Sequence, residues 1–270
     1  MNTTLLMCDA HHFRIDYEIN PYMRTSVQPN LAAAVAEHEA IIAAHQAAGR
    51  TVERLASRPD CPDMVYTANA AVVRGGRAVL AKLPAERDAE TPHHRAWLTD
   101  RGLDVLDVPY AFSGQGDALA CGDLLFTGYG QRTDRRVHAV LAEYLGYQIV
   151  PLRTVSQRWY DLDLAVAVIS NPHTVAYCPD ALDTPSRGRL RELGLDLIEV
   201  SVDEASRFAL NLISDGGTVT MSTGAPVFAA ELRARGFRVV ELDTSELRKG
   251  GGGIRCTALT LDNPIAVRSS

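Results

Sequence analysis

Apolar positions along the chain fall into short β-like runs and longer helix-like runs that alternate. Leu5 to Cys8, inside the apolar stretch from Met1 to Asp9, predicts a strand. The polar segment Phe13 to Met23 that follows, stopped by Pro21, predicts a loop beside the strand end, where ligands are held. Leu31 to Ala48 is alanine-rich with apolar residues at helical spacing and Gly49 behind it, a helix with a stop, and Thr51 to Leu55 is the next strand. After the loop Asp60 to Asn69, Ala70 to Val73 and Ala78 to Leu83 read as a hairpin about Gly75-Gly76, then helix Glu90 to Arg101 and strand Val105 to Val108. The pattern recurs. Ala118 to Thr127 is a strand pair broken at Gly122-Asp123, with helix Asp134 to Leu145 and strand Gln148 to Pro151. Leu164 to Ile169 and Thr174 to Cys178 pair across Asn171-Pro172 before helix Asp183 to Leu193 and strand Asp196 to Val200. Asn211 to Ser214, Thr218 to Ser222, helix Val227 to Arg235 and strand Arg238 to Leu242 close the series.

This is a cycle of hairpin, helix and strand repeated five times, about fifty residues each, which predicts units stacked around one axis. The blade-like repeat favours a closed ring, and one domain over residues 1–270 is expected because no linker-like composition break divides it. Polar residues at the inner strand ends then converge on a central cavity.

After the last cycle come Lys249, glycines 250 to 253, Ile254, Arg255 and Cys256, leading into the apolar run Thr257 to Leu261. Four consecutive glycines forfeit packing and add backbone entropy, so close approach of backbone to a ligand is the physical reason for them. Cys256 is delivered onto that surface as a candidate nucleophile; the competing reading is a flexible hairpin whose cysteine is simply buried. The loop lacks the Lys-Ser/Thr and following helix of a nucleotide site.

The net charge of −6 offers no basic surface to nucleic acid or anionic lipid, which leaves a small-molecule partner. Five scattered cysteines without paired spacing suit reduced thiols, and with no signal-peptide pattern and no long apolar run the expected location is cytoplasmic, off the membrane. No His-x-x-x-His or His/Cys cluster is visible in the sequence, so neither metal nor cofactor is expected. His38 and His45 are placed on an exposed helix face, and most of the other histidines are read as solvated.

Taken together, Tyr17-Glu18-Ile19-Asn20-Pro21-Tyr22-Met23, Pro62-Asp63-Met64-Val65-Tyr66-Thr67-Ala68-Asn69-Ala70, Arg87, Gly114-Gln115-Gly116-Asp117-Ala118-Leu119, Gly130-Gln131-Arg132-Thr133, Trp159-Tyr160-Asp161-Leu162-Asp163 and Gly251-Gly252-Gly253-Ile254-Arg255-Cys256 form an ordered series. In that order they resemble the guanidine-modifying superfamily: arginine deiminases, dimethylarginine dimethylaminohydrolases, arginine dihydrolases and amidinotransferases, and the resemblance implies their five-bladed α/β propeller with a pseudo-fivefold repeat around a central active-site cavity. The Asn20 and Asn69 segments look most like the dihydrolase and bacterial dimethylargininase branch. The resemblance implies a cysteine thiolate attacking a guanidinium carbon, with Cys256 at the nucleophile position and a small-molecule guanidino substrate; it leaves a homodimer open. It also implies that Asp63 binds substrate, that Arg87 and Arg132 hold a carboxylate, and that Asn20 and Asn69 polarise substrate or water.

Two positions depart from the family pattern. Ser113 stands where a carboxylate precedes Gly-x-Gly-Asp, and Asp161 stands where the general acid/base histidine belongs. Aspartate has an unperturbed pKa near ~3.9 against ~6.5 for histidine, so it donates protons poorly at neutral pH unless shifted upward. A guanidinium between Asp161 and Cys256 would pair with one and stabilise the thiolate of the other. His11 and His12, ahead of the Asn20 loop, are weighed as substitutes. Asp117 is read as a substrate-side or loop-fixing residue, Asp163 as a brace, and Arg255 as a surface charge or a group ordering the glycine loop. The sequence thus carries an enzyme reading, a cysteine-dependent hydrolase or amidinotransferase with Asp161 as base, beside a binding protein of the same fold.

Overall fold

A computed structural model describes residues 2–263, so Met1 of the first predicted run lies outside them. In chain order the elements are β1 (Thr4–Cys8), α1 (Leu31–Ala47), β2 (Thr51–Leu55), β3 (Ala71–Arg74), β4 (Arg77–Leu80), α2 (Thr91–Asp100) and β5 (Asp104–Leu106). Then follow β6 (Ala118–Cys121), β7 (Leu124–Tyr129), α3 (Val137–Leu145), β8 (Gln148–Arg153), β9 (Val166–Ser170), β10 (Thr174–Tyr177), α4 (Thr184–Glu192) and β11 (Asp196–Glu199). The short helix α5 (Val202–Ala205), which the pattern did not predict, precedes β12 (Ile213–Ser214), β13 (Thr218–Ser222), α6 (Pro226–Ala234), β14 (Arg238–Leu242) and β15 (Leu259–Thr260).

These strands form five three-stranded sheets on one plan. In four of them an antiparallel hairpin feeds a helix that returns the chain to a third strand parallel to the middle one, as β6, β7 and β8 illustrate. The first unit departs from the predicted cycle. Its hairpin partner comes from the other end of the chain: β15 pairs antiparallel with β1, Leu5 opposite Thr260 and Leu6 opposite Leu259, while β2 lies parallel on the other side. This pairing closes the ring of units and brings Cys256, three residues ahead of β15, to the start of an inner strand.

The inner strands carry the core. β9 packs against both β6 and β12, and β15 against β3. β9 (VAVIS) and β10 (TVAY) are almost entirely buried and read as continuous apolar runs, because sheet neighbours cover one side and helices the other. Helix ends are fixed locally: the Asn30 side chain accepts from the Ala33 N–H at the start of α1, and Asp183 accepts from Ser186 at the start of α4. The buried face of α1 contains Ala34, His38, Ile41, Ile42 and His45. The two histidines were expected on the outer face; their seven-residue spacing, with the isoleucines between, puts them on the core side. Burial lowers His38 to about 4 and His45 to about 3, so both are neutral. Among the described residues no helix is long and apolar enough to cross a membrane.

Candidate active site

The sheets share one further regularity: the residues just ahead of each inner strand are polar and buried. Asn69 precedes β3, Asp117 precedes β6, Asp161 and Asp163 precede β9, Asn211 precedes β12 and Cys256 precedes β15, each turned inward on a tight bend or a single turn of 3-10 helix. Five-fold repetition therefore gathers side chains from across the sequence into one cluster.

Cys256 is only 2% exposed, yet it is not in an apolar interior. Its Sγ donates to Asp163 Oδ2 at 3.3 Å and receives the Asn211 amide at 3.1 Å. The other end of that amide, Asn211 Oδ1, accepts the backbone N–H groups of Gly253 (3.1 Å), Arg255 (3.0 Å) and Cys256 (3.2 Å). One side chain thus folds the turn that carries the sulfur and also touches the sulfur. Burial, then the charges of Asp163 and Asp161, push the thiol well up, against the Gly253 N–H and the Asn211 amide. The glycines ahead of it are needed for close approach. A Cβ on Gly252 would strike the Tyr66 ring and stand 2.9 Å from Cys256 Cβ, and Gly251 holds φ +96° with Asn20 Nδ2 2.6 Å from where a Cβ would sit. Tyr66 and Tyr160 anchor the same loop by donating to the Leu247 and Gly251 carbonyls, each at 2.6 Å.

Asp161, expected beside the thiol as its base, makes its contacts elsewhere. Its Oδ2 accepts from Asn69 Nδ2 at 3.1 Å and lies 3.7 Å from Arg132 Nη1. The acid that hydrogen-bonds the sulfur is Asp163, two residues further on, which was expected to brace the loop. Burial and the Asp161 charge drive the Asp163 carboxyl well up, against the nearby Arg255. Asp117 is pushed up to about 7 by burial and Asp161, while accepting from Thr133 Oγ1 at 2.6 Å and from the Leu162 N–H at 2.8 Å. Its Oδ1 holds the Asp161–Asp163 turn through the Leu162 N–H, and its Oδ2 is taken by Thr133.

Arg87, expected to hold a substrate carboxylate, is fully engaged within the protein. It forks onto Glu90 with two bonds of 2.8 Å, donates to Asn69 Oδ1 at 2.9 Å and to the Asp63 carbonyl at 3.1 Å. It positions Asn69, whose Nδ2 also donates to the Ser113 carbonyl at 2.8 Å. Ser113 enters the network through its backbone, its N–H donating to Thr133 Oγ1 at 3.2 Å. Asp63 is buried behind this arginine, and burial lifts it to about 6 although the Arg87 charge pulls it down. Asn20 is spent on the backbone, donating to the Gly250 carbonyl at 3.0 Å and accepting from the Tyr22 N–H at 3.0 Å. Arg132 is the more open arginine. Its guanidinium lies 4.2 Å above the Tyr160 ring and one nitrogen donates to the Ile19 carbonyl, at the edge of a cavity of about 520 Å3 that Glu18, Asn20, Arg24 and Gln157 also line.

Three further expectations change. Arg255 is neither exposed nor on the glycine loop's outer side: it is buried, donating to the Ala258 carbonyl, Thr260 Oγ1 and Gln115 Oε1. His94 and His138, read as solvated, are buried against Glu90 and the Gly128 carbonyl, while His11 stays exposed beside Asp9 and His12 bonds Ser57. Folding also assembles a donor set that sequence spacing did not reveal, Asp60, Cys61 and His93, with one donor atom from each within 4.8 Å of the others. Sequence reading passed over Asn211; superposing the five repeats would have marked it, since it occupies the place held by Asn69 and Asp117 in their units.

Residues 9–261 match the family model described as N,N dimethylarginine dimethylhydrolase, eukaryotic. An N(G),N(G)-dimethylarginine dimethylaminohydrolase of Mycobacterium tuberculosis is 38% identical over 92% of this chain and 82% of its own. The bifunctional arginine dihydrolase/ornithine cyclodeaminase AgrE of Nostoc is 31% identical over 96% of this chain, which spans 38% of that longer protein. Among solved structures, the N-terminal domain of ArgZ, a cyanobacterial arginine dihydrolase bound to substrate as a cysteine-to-serine mutant, superposes with a TM-score of 0.92 at 30% identity, covering 97% of this chain and 99% of that one.

Proposed function

Because the chain belongs to the dimethylarginine dimethylaminohydrolase family, we propose that it is a cysteine-dependent hydrolase acting on the guanidino group of arginine or an N-methylated arginine, with Cys256 as nucleophile. One observation carries the reading. Asp63 Oδ1, Asp161 Oδ1 and Asp163 Oδ1 are buried oxygens with no hydrogen-bond partner among the described residues, and all belong to the network around the thiol. Buried carboxylate oxygens without donors are costly. A guanidinium supplies flat N–H donors and a positive charge to such oxygens, and its carbon is the electrophile a thiolate needs.

The cation also resolves the acid–base problem. Alone, Asp163 and Cys256 hold each other's acidity down; a guanidinium beside them raises the acidity of both, so the substrate helps to make the thiolate. As sulfur attacks the guanidinium carbon, the S–H proton passes to Asp163 Oδ2. The C–N bond breaks, the proton leaves on the departing amine, and a thiouronium remains. Water adds to the same carbon, giving its proton to Asp163; the C–S bond breaks, and sulfur recovers a proton as the urea departs. The net change is guanidinium and water to urea and ammonium. Arg132, stacked on Tyr160 at the cavity edge, receives the α-carboxylate. Every side chain in this scheme comes from one chain, so it serves a monomer or a homodimer. The cytoplasm, which keeps the five buried thiols reduced, is the compartment that suits it.

The test is product analysis. L-Arginine, its mono- and dimethylated forms and agmatine are incubated with the protein and with Cys256→Ala. A ureido product or ornithine with released amine, lost in the variant, is expected. Asp161 and Ser113 in place of histidine and a carboxylate favour one other reading, a binding protein. Ligand-dependent rise in melting temperature without product from any compound would select it.

A further inference from the structure

We propose that Asp60, Cys61 and His93 form a second site, separate from the Cys256 cluster, for a divalent cation of the zinc class. One donor atom from each residue lies within 4.8 Å of the other two, close enough for small side-chain rotations to bring all three onto one ion. Asp60 is exposed, His93 half-buried and Cys61 buried, so an ion approaches from solvent and keeps a position for water. The donor set selects the metal. A thiolate disfavours magnesium and calcium, which take oxygen, while sulfur, imidazole nitrogen and one carboxylate oxygen with a water suit tetrahedral zinc and its spectroscopic substitute cobalt. The Cys61 thiol already points toward Asp60, with Sγ 3.8 Å from Oδ1. Its other side rests on Cys8 and Met64, a buried floor that limits water access to the sulfur. On binding, the S–H bond gives way to S–metal and the proton leaves to solvent.

The position gives the site a consequence. Asp60 and Cys61 open the loop that carries Asp63, and His93 stands in the first turn of α2, three residues after Glu90, the acid that clamps Arg87. A bound ion ties the two segments together at their outer ends, and so holds the Asp63 loop against the Arg87 clamp. None of this depends on what Cys256 does.

The experiment uses the full chain carrying Cys256→Ala, so that the active-site thiol cannot compete. Cobalt(II) titration is expected to give a thiolate-to-cobalt charge-transfer band saturating at one ion per chain, bleached by zinc, with a zinc-dependent rise in melting temperature. Adding Cys61→Ser abolishes the band; adding His93→Ala, at a half-buried position on α2, abolishes or greatly weakens it. A chain that gives no band, or one whose band survives both Cys61→Ser and His93→Ala, overturns the proposal. Circular dichroism on each variant separates loss of the site from loss of the fold, and His93→Ala decides the matter if Cys61→Ser does not fold.

Discussion

At the scale of single residues, neighbours that look alike have separate duties. Asp163 touches the sulfur, whereas Asp161 faces Asn69 and Arg132. Asp163→Asn therefore removes the proton acceptor and is expected to lower kcat on the order of 10²-fold or more, while Asp161→Asn is expected to raise KM more than it lowers kcat, since it weakens a grip on the cation. Steady-state kinetics of the two variants side by side check the assignment; equal effects on kcat would contradict it. Asn211 is a positioning residue, because it acts by folding the turn that presents Cys256. Asn211→Ala should lower kcat by about 10²-fold through misplacement of the sulfur, with little change in KM, and should slow alkylation of Cys256 in parallel. Which aspartate meets the thiol was not legible in the sequence: Asp161 and Asp163 differ by two positions on a single turn, and long-range bonds orient it, among them that from the Leu162 N–H to Asp117 Oδ1, across 45 residues of chain. The four glycines singled out Cys256 but left nucleophile and buried thiol both open, and the nucleophile role came from the family resemblance.

At the scale of elements, the link between Arg87, Glu90 and His94 holds the start of α2 against the Asn69 turn. All three are buried and joined by hydrogen bonds, with burial opposing the Glu90 charge and Arg87 overcoming that opposition. Arg87→Ala strands a buried carboxylate and is expected to destabilise the protein by about 3–5 kcal/mol in urea unfolding; a cost near zero would mean that Glu90 finds another partner. Helix α1 gives the opposite case. Neither ring nitrogen of His38 has a hydrogen-bond partner among the described residues, so His38→Leu should stabilise by on the order of 1 kcal/mol. The same helix shows where pattern reading fails. Its period was clear, but alanine on every side blurs the polar face, and a histidine counted as polar was assigned to solvent when its neighbours placed it in the core. Hairpins and crossover helices were legible to within a few residues because turn residues and periodicity agree there. The pairing of β15 with β1 was not, since a two-residue strand at the far end of the chain has no local pattern of its own.

At the scale of the whole molecule, five units share one polar centre, and the unliganded protein bears the cost of its buried acids. Asp63 at about 6 and Asp117 at about 7 bind protons more tightly folded than unfolded. Their contribution to stability is therefore complete below about pH 4, where the unfolded chain is protonated too, and is lost as pH rises through 6 and 7. Denaturant midpoints are expected to fall across that window, and L-arginine bound to Cys256→Ala is expected to reverse the trend and release protons on binding, read by calorimetry in buffers of different ionisation enthalpy. We propose that the chain is one domain, for which a single calorimetric unfolding transition is expected and two resolved transitions would be contrary. The repeat explains why the fold was visible from the sequence while the site was only partly so: recurrence of hairpin, helix and strand fixes how many units there are, but the polar centre depends on which side chain of each unit turns inward. Buried carboxylates that hold a planar cation over one sulfur are the centre of the proposed chemistry, and the rate of alkylation tests them most directly. A chloroacetamidinium reagent should modify Cys256 rapidly, in competition with L-arginine, while the uncharged chloroacetamide of the same shape should leave it nearly untouched. Equal rates for the two reagents, or modification that L-arginine does not slow, would contradict it.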